Sequence, residues 1–141
     1  MLFRRLTCRE HLQFYARLKG VPEQFVKGEV ERTLQNVGIA DRATHFPGDM
    51  SGGQKRKLSL GIALIGGSKV VFLDEPTSGM DPESRHEMWG MIAREKEKRC
   101  IILTTHYMDE ADHLGDRIAI MSDGLVRCCG SPLFLKRSYG L

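Results

Sequence analysis

The chain has 141 residues, 41% hydrophobic and 28% charged, the proportions of an ordinary folded domain and not of a disordered one. Lys and Arg number 21 against 18 Asp and Glu, an excess too small and too evenly spread to point to nucleic acid. The longest apolar stretches, such as Val70 to Leu73 and Ile101 to Leu103, fall far short of a membrane span. The opening MLFRRL has no apolar run behind its arginines and does not read as a signal peptide.

Thr7 followed by Glu10 forms a capping box that opens a helix, with apolar Leu12, Phe14, Tyr15 and Leu18 and a stop at Gly20. Pro22 suits a first helical position, and Phe25, Val26, Val30, Leu34 and Val37 repeat at helical spacing as far as Gly38. Residues 41–49 read as a loop around Pro47 and Gly48. Ser51 and Gln54 form a second capping box, for a helix through Leu58, Leu60, Ile62 and Leu64 that closes at Gly66-Gly67. Up to there the pattern is all helix.

The period then changes. KVVFLD, Lys69 to Asp74, predicts a short strand buried on both faces. Asp81-Pro82 caps a helix carrying Met88, Trp89, Met91 and Ile92, and residues 94–99 read as its solvated charged end. CIILTT, Cys100 to Thr105, predicts a second buried strand, followed by a short helix near Asp109 to Leu114. Arg117 to Met121 and Leu125 to Cys129 flank Asp123-Gly124, a strong hairpin signal, and Ser131-Pro132 caps a last helix. Helices first and strand–helix–strand afterwards predict an α/β layer with parallel strands and a leading helical subdomain. Cys8, Cys100, Cys128 and Cys129 show no C-x-x-C spacing, which argues against zinc and against a disulfide framework. Two of the four fall within apparent strands, which predicts buried free thiols in a reducing cytosol.

Three features could carry chemistry. Asp74-Glu75 ends a buried strand, at the sheet edge where open α/β folds bind ligands. One carboxylate there could hold Mg²⁺ while the next orients a water against a phosphoryl group. Alone, the pair is better explained as a solvated strand end. Ser51, Gly52, Gly53 and Gln54 open a helix, and glycines at a helix N-terminus leave N–H groups uncovered for a phosphate; alone, this is a capped helix with a flexible entry. His106 follows a strand on the same predicted sheet edge as Glu75, where an imidazole could donate to a phosphate, although a lone histidine in that place is usually structural.

Taken in order, S-G-G-Q-K-R, V-F-L-D-E-P-T-S-G-M-D-P and T-T-H closely resemble the nucleotide-binding domain of ATP-binding-cassette (ABC) transporters. Ser51 to Gln54 match the family's signature motif, Val71 to Glu75 its Walker B strand and glutamate, Ser78 to Asp81 its D-loop, and His106 its switch histidine. The runs LTCREHLQFYARLKG, TTHYMDEADHLGDRIAIMSDG and CCGSPLFLKRSYG resemble the A subfamily, whose full-size members mostly handle lipids and sterols. Bacterial drug-export ATPases share some of these elements.

The resemblance implies a partial P-loop NTPase domain of α/β class. A helical subdomain over residues 1–67 would carry the signature helix, and residues 68–141 would form part of the RecA-like parallel sheet core. It implies ATP and Mg²⁺ as cofactors, Glu75 and His106 as catalytic residues, Asp74 as metal ligand, and Ser51, Gly52, Gly53, Gln54 and Asp81 at the nucleotide. The implied partners are a second ABC ATPase domain paired head to tail and transmembrane domains lying outside this chain, with this domain facing the cytosol and no nucleic acid involved. The phosphate-cradling string G-x-x-x-x-G-K-[ST] does not occur in the 141 residues. Gly61 to Ser68 has the glycine spacing but Gly67 where lysine belongs, and it leads from helix to strand, the reverse of the required order. Comparison with the family places Met1 just after the Q-loop. These features predict a C-terminal part of a transporter ATPase domain that is inactive alone, with apolar strand edges exposed where further strands are missing. Two alternatives stay open: a soluble ATPase of the same superfamily, and a non-catalytic module docking on an intact ATPase domain.

Overall fold

A computed structural model describes residues 2–140, which cluster into two compact units with the division between Thr104 and Thr105. The first unit contains α1 (Cys8–Leu18), α2 (Glu23–Asn36), α3 (Gly52–Leu64), β1 (Val70–Asp74), α4 (Pro82–Lys96) and β2 (Cys100–Thr104). Both capping boxes form. Thr7 Oγ1 accepts from the Glu10 N–H while Glu10 reaches back to the Thr7 N–H, and Ser51 and Gln54 do the same for α3. Pro22 stands one place earlier than its sequence suggests, as the N-cap of α2. The loop over residues 41–49 is tightened by two short 3₁₀ turns, Ala40–Arg42 and Pro47–Asp49.

The core of this unit is where three helices cross. α1 buries Cys8, His11, Leu12 and Ala16; α2 buries Val26, Val30, Thr33 and Leu34; α3 buries Leu58, Leu60, Gly61 and Leu64. Gly61 marks the closest approach, since a Cβ there would lie 3.3 Å from Thr33 Cγ2 and 3.5 Å from Leu12 Cδ2. His11 can be fully buried because its ring is satisfied locally: Nδ1 lies 2.8 Å from the Thr7 carbonyl and Nε2 accepts the Phe3 N–H at 2.8 Å. Phe14, Leu18 and Phe25, which the apolar spacing places inside, are exposed.

β1 and β2 pair in parallel, from Val70 opposite Cys100 to Asp74 opposite Thr104. Burial on both faces is not found. Val71 and Leu73 are buried, but Val70 and Phe72 point outward with Ile102, and Phe72 is 72% exposed. Among the described residues the sheet holds only these two strands, and the face carrying Val70, Phe72 and Ile102 is largely exposed. The same geometry corrects the thiols. Cys100 and Cys129 are exposed and Cys128 is half-buried, while the fully buried cysteine is Cys8, on a helix. Arg99 also departs from a solvated helix end: its side chain is 13% exposed, paired with Glu95 at 2.8 Å.

The second unit contains α5 (Met108–Leu114), the antiparallel hairpin β3 (Ile118–Ser122) and β4 (Leu125–Gly130), and α6 (Pro132–Tyr139). Asp123 and Gly124 both take positive φ, 53° and 75°, as a two-residue hairpin turn requires. An irregularity between Ile120 and Met121 shifts the hairpin register. The Ser131 hydroxyl caps α6, and Lys136 pairs with Asp112 at 2.6 Å. No described helix is long and apolar enough to cross a membrane.

Candidate functional site

At the C-terminal end of β1 the chain turns sharply. Asp74 is exposed, and the next residue, Glu75, is half-buried with φ +48°, a left-handed backbone that costs a non-glycine residue about 1–2 kcal/mol. Thr104 at the end of β2 holds both residues. The Glu75 N–H donates to the Thr104 carbonyl at 3.1 Å and lies 3.3 Å from Thr104 Oγ1. Because that N–H can only donate, the one Oγ1 proton is directed to Asp74 Oδ1, with which it forms a short hydrogen bond. Buried Thr77 and Met80 anchor the following turn, which Gly79 completes with φ +75°.

The second feature is the start of α3. Ser51 N–H meets Gln54 Oε1 at 3.0 Å and Gln54 N–H meets Ser51 Oγ at 3.2 Å, so Gln54 is engaged in the cap. The first turn contains no acidic residue, and Lys55, Arg56 and Lys57 follow, so the positive end of the helix dipole is reinforced. A Cβ on Gly52 would meet nothing within 4 Å. Packing inside the chain therefore does not call for glycine there, and the space above the helix entrance is open. Gly53 faces Met80 Cε and Ser84 Oγ, each 3.7 Å from the place of a Cβ. The start of α3 thus lies beside the 78–81 turn and the start of α4, and Lys57 bridges to Glu87 on α4 at 2.6 Å. Asp81 caps α4 by accepting the Ser84 N–H at 2.9 Å, and this bond holds its carboxyl below the usual value.

The opposite end of α3 is closed by cations. Lys19 Nζ donates to the carbonyls of Ile62, Ala63 and Ile65 at 2.9, 2.8 and 3.0 Å, and lies 3.2 Å from Ser68 Oγ. Arg99 Nη1 donates to the carbonyls of Leu64 and Ser68 at 3.0 and 3.1 Å. Burial, and after it the charge of Arg99, lowers the Lys19 pKa. The glycine-spaced string is taken up by this same architecture: Gly61 lies in the helix crossing, and Gly66, with φ +78°, turns against the Lys19 stem.

Of the residues singled out by sequence, Asp74 and Glu75 share one strand end, and Ser51 to Gln54 open onto the turn that ends at Asp81. His106 belongs to the second unit, where it is exposed and its ring centroid lies 4.1 Å from that of Tyr107. Sequence inspection missed Thr104, whose only signal was a hydroxyl at the end of the partner strand.

The sequence profile of ABC transporters matches residues 1–78. The chain belongs to the ABC transporter family. It is 56% identical over 140 residues to the phospholipid-transporting ATPase ABCA3 of Homo sapiens, an alignment spanning 99% of this chain and 8% of that protein. It is 54% identical to ABC transporter A family member 6 of Dictyostelium discoideum, with 99% and 9% covered. It is 49% identical to ATP-binding cassette sub-family A member 2 of Homo sapiens, with 99% and 6% covered. The chain therefore spans less than a tenth of the length of these relatives, and it resembles the A subfamily throughout. Its mixed α/β fold is a portion of the P-loop ATPase domain of ABC transporters.

The residues present fit the groups that ABC transporter ATPase domains use. Among the described residues no three His, Cys, Asp or Glu side chains gather to hold a metal. An exposed, hydroxyl-anchored carboxylate at Asp74 nevertheless suits Mg²⁺, which takes one or two carboxylates and draws its other oxygens from water and phosphate. The open, acid-free entrance of α3 suits a phosphate.

Proposed function

We propose that this chain is the C-terminal part of the ATP-binding and ATP-hydrolysing domain of an A-subfamily ABC transporter, which couples hydrolysis to lipid translocation. The observation that carries the proposal is the acid pair at the end of a parallel strand, with Asp74 exposed and Glu75 fixed in a strained turn directly after it. In this reading residues 1–67 act as the helical subdomain and residues 68–141 as part of the sheet core. Asp74 binds Mg²⁺, which neutralises charge on the phosphates when bound. Glu75 polarises the attacking water, and His106 donates to the terminal phosphate. Ser51, Gly52, Gly53 and Gln54, with Asp81 in the adjoining turn, face a nucleotide held by a second ATPase domain paired head to tail. The phosphate cradle and its lysine come from sequence outside this chain, as do the transmembrane domains that place this domain on the cytosolic face of a membrane.

The test is Glu75→Gln in the transporter that carries this chain. The amide keeps the size of the side chain but does not polarise water as a carboxylate does, so ATP is retained and turnover falls by a factor of about 10²–10⁴. Turnover at the wild-type rate removes Glu75 from catalysis. The 141-residue chain alone neither binds ATP tightly nor hydrolyses it, because it supplies no cradle. Calorimetric titration with Mg-ATP and a phosphate-release assay check this, and micromolar binding with steady turnover overturns it.

A further inference from the structure

Thr104 makes two side-chain contacts at the acid pair, and the direction of each is fixed. Its Oγ1 lies within reach of the Glu75 N–H, an obligate donor, so its own proton points at Asp74 Oδ1. The parallel register places the two residues directly opposite each other. The Thr104 carbonyl adds a third tie, to the same Glu75 N–H. One residue of β2 therefore orients the Asp74 carboxylate and clamps the left-handed backbone of Glu75, whose φ of +48° persists only where its surroundings enforce it.

From this geometry we propose that Thr104 is a positioning residue for the divalent cation: by holding Oδ1, its hydroxyl presents the remaining Asp74 oxygen in one orientation. The inference rests on Asp74 as the cation ligand. Hydrogen bonds that orient a metal-binding carboxylate are worth about 10–100-fold in metal affinity. The hydroxyl is the active element, so Thr104→Val, which keeps the shape and loses the proton, is the informative change. Thr104→Ser, which keeps the proton, is its control.

The experiment uses the intact transporter carrying this chain, with Mn²⁺ as the probe, its affinity in the presence of ATP read by electron paramagnetic resonance. Thr104→Val weakens Mn²⁺ by about 10-fold, and Thr104→Ser stays within about two-fold of wild type. In steady state the Val variant shows a raised metal requirement, and its turnover recovers as Mn²⁺ is increased; a merely structural role does not produce that pattern. Hydrogen exchange at the Glu75 amide is faster in the Val variant and unchanged in the Ser variant. If Asp74→Asn loses the ion while Thr104→Val binds it as wild type does, Thr104 has no positioning role and Asp74 remains the ligand. A Ser variant as defective as Val also overturns the proposal, since the hydroxyl is then not the cause. If Asp74→Asn binds Mn²⁺ normally, the assignment of Asp74 falls and the inference falls with it.

Discussion

Replacing Lys19 by Met removes an ammonium from the end of α3 and leaves the stem that packs against Gly66. The ammonium serves the carbonyls of Ile62, Ala63 and Ile65 at 2.8–3.0 Å. A hydrogen bond to a charged group contributes about 1.5–3 kcal/mol net, which for three independent bonds would approach about 7 kcal/mol. Two features of the site reduce that figure. One ammonium is shared by all three acceptors, and most of these contacts are solvent-exposed, so water replaces part of what is lost. Arg99 also continues to bond the Leu64 and Ser68 carbonyls. The expected loss is about 2 kcal/mol, or about 6–8 °C in melting temperature for a chain of this size. Urea denaturation of purified wild-type and Lys19→Met chains, followed by circular dichroism, measures it. A difference below about 0.5 kcal/mol, the scale of an ordinary surface change, would refute the view that this cation closes the helix.

Gly52→Ala should stabilise the chain by up to about 0.5–1 kcal/mol in the same assay, because the new methyl meets nothing and alanine favours helix; destabilisation would mean the entrance is not open. The N-cap carboxylate of Asp81 has its pKa lowered on folding, so between its folded value and the ordinary 3.8 the unfolded chain binds more protons and stability rises with pH. That contribution is complete above 3.8 and disappears as the pH falls through the folded value, so Asp81→Asn should flatten the acid limb of a stability–pH profile. Phe72→Ser should leave the fold intact and reduce concentration-dependent self-association in sedimentation velocity, because the ring is 72% exposed beside Val70 and Ile102.

Local chemistry was the legible part of this fold. Thr7–Glu10, Ser51–Gln54, Asp81-Pro82 and Asp123-Gly124 each encode a cap or turn within four residues, and each forms as its pattern predicts. The parallel pairing of β1 and β2 also follows from the helix between them. Burial was harder to read because it depends on partners distant in sequence. On α1 the spacing favours Phe14 and Leu18, yet His11 and Ala16 go inside: a histidine with both ring nitrogens bonded costs little to bury, and alanine permits close helix contact. Arg99 looked like one more charge in a solvated run, and only the fold brings the α3 carbonyls to it. At the site, the acid pair and the glycine-bearing cap were visible as strings. Thr104, 30 residues after Asp74, was not, because no periodicity links a strand-end hydroxyl to the acid it will face.

The pairing of Asp74 with Thr104 also bears on how the two strands find their alignment. Apolar residues fill VVFL and IIL almost without a break, so sliding one strand by two residues would keep the same faces inward and still set apolar side chains against apolar ones. Hydrophobic contact therefore discriminates poorly between the native alignment and its neighbours. Asp74 against Thr104 breaks that degeneracy: a strand displaced by two residues sets the hydroxyl opposite Phe72 or Pro76 instead of the acid and takes the Thr104 oxygens away from the Glu75 amide. An out-of-step pairing of β1 with β2 thus carries an energetic mismatch at the strand end, at the place where the two acids stand.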